Sequence, residues 1–345
     1  MKRRAFLKNT SLGLIGAGLT SSIASTGDLA ASSTREGDFS ERGFITAEQN
    51  RIVFYTDAVT EKIRVIHAPD THLWLSDERE DPYRQYSDRM AAAYNQTQHF
   101  QTGDPTQPEE AFEQIINIAA ESEADLIALP GDMVSWPSEL AVEWAHEKLE
   151  SSDVPYLFVA GNHDWHYEGM EGSIDELRSE WIRRRLHPLY QGHDPMMAAY
   201  DMKGLRFLAI DNSTYEISDA QLAFFRDQVK SRMPLVLMIH IPMYAPGRPV
   251  SYGCGHPDWS AETDRNYIIE RRPRWPETGH ARSTMDFYKE LFNAPNILGI
   301  FAGHIHRQSV EYIHGIPQFV SDANATGAFL DITFHPLSER DRNLL

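Results

Sequence analysis

The chain has 345 residues, 41% of them hydrophobic, and a formal net charge of −18. That acidity argues against a nucleic-acid polymer or an anionic membrane surface as partner, yet leaves a small phosphate ester open, because bound cations would dominate the field locally. A single cysteine, Cys254, excludes an intramolecular disulfide and a thiolate zinc centre, and its Gly-rich setting carries no nucleophile signature.

Residues 1–33 begin Met1-Lys2-Arg3-Arg4 and continue through an apolar stretch diluted by Gly, Ser and Thr. Small residues near Ala24 and Ala30 offer a cleavage site, so the segment reads as a signal peptide. The apolar stretch is too short and interrupted to span a bilayer as a mature helix. Arg3-Arg4 followed by Ala5-Phe6-Leu7-Lys8 is similar to the twin-arginine signal, which exports proteins already folded; an ordinary secretory signal is the alternative. The expectation is export to the periplasm or beyond, with the twin-arginine machinery as partner.

Residues 34–61 read as a polar leader and a first strand. Strand-like runs at 52–55 and 63–67, separated by a polar 56–60, predict a hairpin. A polar insertion over 73–107 contains a helix near 84–97. Phe112, Ile115, Ile116 and Ala119 then fall at helical spacing and predict a helix over 108–121. Strands at 126–129, 156–159, 197–201, 205–210 and 235–239 follow, with helices at 139–149, 173–186 and 218–232, the last capped by Ser218. An irregular stretch, 243–283, is rich in Pro, Gly, Arg and aromatic residues. A helix at 284–293, a strand at 297–301 and antiparallel-looking strands near 308–313, 317–320 and 328–334 precede a tail at 335–345. The class is mixed α/β.

Five segments stand out: Asp70-Thr71-His72, Gly131-Asp132, Gly161-Asn162-His163-Asp164, His240 and Gly303-His304-Ile305-His306. Each closely follows an apolar run, where a strand hands over to a loop. Carboxylates, an amide and imidazoles are hard-to-borderline ligands for divalent metals, and a core has little reason to collect them there. Two-residue spacing in an extended segment would let Asp70 and His72 reach one ion.

Together the five blocks resemble, in order, the calcineurin-like metallophosphoesterases over about residues 62–334. The resemblance implies a four-layer sandwich of two mixed β-sheets flanked by helices, with the site at the sheet edge. It further implies two divalent ions (Mn, Fe or Zn). Asp70, His72 and His306 would hold one, Asn162, His240 and His304 the other, and Asp132 would bridge them. Two such ions sit about 3.5–4 Å apart, and a bridging carboxylate offsets their repulsion. The implied reaction is hydrolysis of a phosphomonoester or phosphodiester by in-line attack of a hydroxide shared by the ions. His163 would stabilise the transition state or protonate the leaving alkoxide, and Asp164 would orient a neighbour. Family members that lose ligands serve as silent binding or scaffold proteins; here none is missing.

Two departures from the family pattern are visible. Pro69 precedes Asp70, and Leu73-Trp74 follows His72 where a glycine is usual. The segment Gly131-Asp132-Met133-Val134-Ser135-Trp136 also lacks the tyrosine ligand of purple acid phosphatases, which disfavours that subclass. Substrate choice falls to the insertions at 73–107 and 243–283. In the second, Arg248, Arg265, Arg271, Arg272, Arg274 and Arg282 with Tyr252, Trp259, Tyr267 and Trp275 could grip a phosphate and its attached group. An ordered loop held by arginine–carboxylate pairs is at least as good a reading. Among the other histidines, His67 reads as a strand residue; His166 and His256 could reach the pocket, but a structural role is the better reading for each.

Overall fold

The computed structural model describes residues 43–94, 98–269 and 275–343. The signal-like segment, and with it the export reading, lies outside them. The first five strands are β1 (Gly43–Glu48), β2 (Arg51–Thr56), β3 (Ile63–His67), β4 (Leu126–Pro130) and β5 (Tyr156–Val159). There follow β6 (Met197–Met202), β7 (Leu205–Ile210), β8 (Leu235–Met238), β9 (Ile297–Ala302), β10 (Ser309–Ile313), β11 (Ile316–Val320) and β12 (Leu330–Pro336). They form two six-stranded sheets, ordered β1-β2-β12-β3-β4-β5 and β10-β11-β9-β8-β7-β6. Both are mixed. β3, β4 and β5 run parallel in the first, and β7, β8, β9 and β11 in the second.

The hairpin expected across residues 56–60 does not form. β12 inserts between β2 and β3, parallel to one and antiparallel to the other. Part of the supposed leader is a strand instead, because β1 pairs antiparallel with β2 around Gln49, whose φ is 54°. Likewise β10 and β11 pair in the second sheet while β12 crosses to the first, so the last three strands are not one meander.

Helices form the outer layers: α1 (Arg84–Tyr94), α2 (Pro108–Glu121), α3 (Glu139–Glu150), α4 (Ile174–Trp181), α5 (Asp219–Lys230), α6 (Arg265–Ile269), α7 (Arg282–Leu291) and α8 (Glu339–Arg342). Ser218 caps α5 with a reciprocal Gln221 contact, as its sequence predicts. The helix expected over 173–186 is shorter. It widens into a π turn at Ile182–Leu186, where Arg185 is buried against Glu80, the Tyr167 hydroxyl and the Pro137 carbonyl. That network ties the 73–107 insertion to the body of the protein, through a buried carboxylate that needs such partners.

Alternation within the strands divides the core. Leu126 and Ala128 of β4 face the layer between the sheets, with Val65, Val236 and Met238, while Ile127 and Leu129 face the helices. Phe54 and Phe334 stack at 4.7 Å between ring centroids, and Phe54 meets Phe301 and Phe319 of the other sheet edge-on at 6.2 and 5.9 Å. Phe54→Ala is therefore expected to cost about 3–5 kcal/mol in a denaturant titration.

His67 stands within this apolar layer as a strand histidine, with both ring nitrogens buried and without a hydrogen-bond partner among the described residues. Burial lowers its pKa from 6.5 to about 3. The folded pKa is depressed, so the neutral ring is compatible with the fold at neutral pH. As pH falls below about 6.5 the unfolded chain takes up a proton that the folded chain refuses. Stability should decline by about 1.4 kcal/mol per pH unit down to about pH 3 from this residue alone. His67→Leu should flatten that part of the profile, as read from melting temperature against pH in both proteins. Equal slopes would contradict the assignment.

Candidate metal centre

The five segments converge at the C-terminal ends of β3, β4, β5, β8 and β9. Parallel strands from both sheets thus deliver their loops to one edge. Five of the seven predicted ligands occupy left-handed backbone: Asp70 (φ 57°), His72 (51°), Asp132 (51°), His304 (72°) and His306 (46°). Asp70 and His72 are therefore not in the extended segment that their spacing suggested; non-glycine residues adopt the left-handed region at a cost, and here hydrogen bonds hold them in it. Asp70 and His72 donate their amides to the carbonyls of Gly131 and Asp132, at 3.0 and 2.9 Å. The His304 amide donates to the Asp70 carboxylate at 2.8 Å, linking the loops of the two sheets. Glycine is required at position 131, where φ is 88° and a β-carbon would lie 2.5 Å from the Gly161 nitrogen and 2.6 Å from His240 Nδ1.

The donors gather into two groups. Ligand atoms of Asp70, His72 and His306 lie within 4.8 Å of one another, and so do those of Asp132, His240 and His304. In the first group His72 Nε2 is 3.0 Å from His306 Nε2, which is 3.5 Å from Asp70 Oδ1. In the second, His240 Nε2 lies 3.1 Å from Asp132 Oδ2 and 3.1 Å from Asn162 Oδ1. Asp132 Oδ2 also faces His72 Nε2 at 3.8 Å, so this one oxygen is shared by both groups. His240 Nδ1 is 2.9 Å from the Pro130 carbonyl, which fixes the proton on Nδ1 and turns Nε2 toward the site. Two imidazole nitrogens and a carboxylate crowded to such distances fit a divalent ion between them.

Electrostatics agree with a cation site. Burial opposes charge on His240, but the Asp132 carboxylate overrides it and holds His240 up at about 10. For Asp132 burial works upward, yet the charges of His240 and His163 keep it well below the usual carboxylate range. Binding of an ion at Asp132 and His240 would displace the proton that Asp132 draws onto the imidazole.

His163 is 5% exposed, its ring 5.1 Å from that of His72, and its amide donates to Asp132 Oδ1 at 2.8 Å. Asp164 is fully buried. Its carboxylate accepts the amides of Gly161, Asp132 and Val134 at 2.7, 2.9 and 2.9 Å. Burial and the Asp132 charge push it up to about 8. The neighbour it orients is therefore backbone: it pins the Asp132 loop to the Gly161 turn.

The 243–283 segment differs from a substrate grip. Tyr252, Trp259, Tyr267 and Trp275 are no more than 5% exposed, so none of these four rings presents a face to a ligand. Arg248 pairs with Glu311 of β10, a carboxylate from outside the segment, and Arg265 and Arg282 are exposed. Arg271, Arg272 and Arg274 lie outside the described residues. His166 is buried against Trp165 and Trp275, and His256 packs on Tyr244. Cys254 is buried, which pushes its thiol up to about 12 and away from nucleophile chemistry.

Sequence reasoning missed a sixth segment, Asp211-Asn212-Ser213-Thr214-Tyr215, although it too follows an apolar strand, β7. Asn212 Oδ1 accepts the amides of His240 and Ile241 at 3.2 and 3.0 Å, fixing the turn that carries His240. The Tyr215 hydroxyl lies 2.7 Å from His304 Nε2. The same rule of polar residues after an apolar run would have found both.

The calcineurin-like phosphoesterase family matches residues 63–308. The chain belongs to that family. Solved structures similar to it include a dimetal phosphatase from Danio rerio, 11% identical with a TM-score of 0.48, covering 77% of this chain and 91% of that one. Others are a purple acid phosphatase of yellow lupin (14%, 0.45, 81% and 48%) and the phosphopantetheinyl hydrolase of Mycobacterium tuberculosis (11%, 0.38, 78% and 92%). No match is found among the curated proteins. The two mixed sheets with helical outer layers are the family's sandwich, and two groups of side chains within it could each hold a metal ion.

Proposed function

We propose that this phosphoesterase is an exported, dinuclear-metal hydrolase of phosphomonoesters or phosphodiesters. The observation that carries the reading is the pair of donor groups sharing Asp132 Oδ2. Asp70, His72 and His306 would hold one ion, Asn162, His240 and His304 the other, with Asp132 common to both. Imidazoles paired with few carboxylates favour Mn, Fe or Zn over Mg or Ca. When bound, the two ions supply an activated water and neutralise charge on the phosphoryl oxygens.

The protein's own groups do the rest. His163, beside His72 and 5% exposed, would hold a proton for the departing alkoxide or stabilise charge on the transferring phosphoryl group. Asp164 acts through backbone amides, keeping Asp132, Asn162 and His163 in register. It is a positioning residue. The silent-scaffold alternative finds no missing donor to support it.

Purified protein loaded with Mn²⁺, Zn²⁺ or Fe²⁺ should hydrolyse 4-nitrophenyl phosphate, bis(4-nitrophenyl) phosphate, or both, and the ratio of rates would assign mono- or diester preference. Absence of turnover on a broad ester panel, in protein shown to carry two ions per chain, would overturn the hydrolase reading. Export is read from Arg3-Arg4 and tested separately. Lysine at both positions should retain the chain in the cytoplasm, and unchanged export would point to the ordinary secretory route. Among the described residues no helix is long and apolar enough to cross a membrane.

A further inference from the structure

The 243–283 segment buries Tyr252, Trp259, Tyr267 and Trp275 instead of offering them to a ligand, and their placement suggests another use. Tyr215, fully buried with φ 65°, presses its ring edge-on to His304, centroid to centroid 5.3 Å at 83°. Its hydroxyl meets His304 Nε2 at 2.7 Å. Behind it the Trp259 ring stacks at 5.5 Å and 15°, and His280 stacks on Trp259 at 4.5 Å and 12°. His280 Nε2 in turn lies 2.9 Å from the Gly253 carbonyl. Gly253 closes the brace: a β-carbon there would sit 2.5 Å from two carbons of the Tyr215 ring. Four rings and a glycine turn thus fill the space from the irregular segment to a residue of the second donor group.

We infer that Tyr215 is a positioning residue for the second metal, and that the 243–283 segment serves as its brace. This rests on the dinuclear reading above. The buried phenol oxygen is placed to accept from the imidazole nitrogen opposite the one that would ligate. With Nε2–H donating to the phenol oxygen, the tautomer of His304 is fixed and its Nδ1 lone pair serves the ion. Outer hydrogen bonds of this kind orient a ligating ring and raise its basicity, and their loss typically costs about 10–100-fold in metal affinity. Trp259 and Gly253 set where the phenol can sit, so packing in the irregular segment is transmitted to one metal site and not the other. The Asp70–His72–His306 group gives an internal reference.

The test is a metal titration of wild type and Tyr215→Phe, with ions counted per chain after dialysis against graded chelator, and Mn²⁺ spectra recorded by EPR. In Tyr215→Phe the second site should weaken by about 10–100-fold while the first keeps its affinity. The spectrum should pass from a coupled pair to a single ion at limiting Mn²⁺. Trp259→Leu should shift the second site in the same direction. Unchanged affinity at both sites would overturn the inference. Equal weakening of both, with a lower melting temperature of the metal-free chain, would reduce Tyr215 to a packing role and overturn it too. A wild type that binds fewer than two ions would overturn the dinuclear reading, and this inference with it. The wild type alone supplies an independent measure. Zinc-loaded protein should show, by ¹⁵N NMR, His304 ligated through Nδ1 with a protonated Nε2. Ligation through Nε2 would contradict the proposal.

Discussion

Asp132→Asn is expected to yield a folded protein that holds one metal ion or none, with kcat/KM reduced by about 10³–10⁴-fold. The carboxylate carries the one oxygen within 3.1 Å of His240 Nε2 and 3.8 Å of His72 Nε2, so it serves both donor groups. An amide keeps its shape, and its oxygen can still accept the His163 amide that Asp132 Oδ1 accepts at 2.8 Å. What the substitution removes is the negative charge between two dications. Metal ions contribute several kcal/mol of charge stabilisation to a phosphoryl transition state. At 1.36 kcal/mol per tenfold in rate, a loss of about 4–5 kcal/mol corresponds to that reduction. Metal counting and steady-state kinetics on the same sample check both halves. Two ions retained with near-normal activity would contradict the shared-ligand role.

His163→Ala is expected to behave differently. The imidazole is outside both donor groups, so metal content should stay at two per chain while kcat falls by about 10²–10⁴-fold. Substrates with different leaving groups separate its two possible duties. If His163 protonates the alkoxide, the loss should shrink for 4-nitrophenolate, which leaves readily unprotonated, and grow for an alkyl ester. An equal loss across leaving groups would assign it to charge stabilisation. Loss of metal in the variant would show that the imidazole supports the ions instead.

Much of this site was legible in the chain because each donor follows a strand. A buried strand reads as an apolar run, and a polar residue just beyond it has reason to be there only if the strand end is a site. That logic picked out the seven predicted donors, His163 and Asp164, whose segments converge at one edge. It applies equally to Asn212 and Tyr215 after β7, whose importance rests on what they touch. Partners at such distance in sequence leave no local pattern. Asp164 illustrates the same limit: its type was readable, but not that its carboxylate would accept three backbone amides.

The fold divides similarly. β4, β5, β7 and β8 and the helices between them were readable from period and caps, since their partners are close in sequence. β12 pairs with strands far back in the chain, Asp331 opposite Arg51 of β2 and Leu330 opposite His67 of β3, and nothing local marks it as the strand that separates them. In 243–283 the residues have no regular period, so composition alone could not tell aromatic rings open to a ligand from rings packed behind Tyr215.

Crystals soaked in Mn²⁺ or Zn²⁺ and measured at the metal's absorption edge offer the most direct test of the central claim. The account predicts two anomalous peaks about 3.5–4 Å apart, one among Asp70, His72 and His306, the other among Asn162, His240 and His304, with Asp132 between them. A single peak, or two peaks that do not share Asp132, would contradict it.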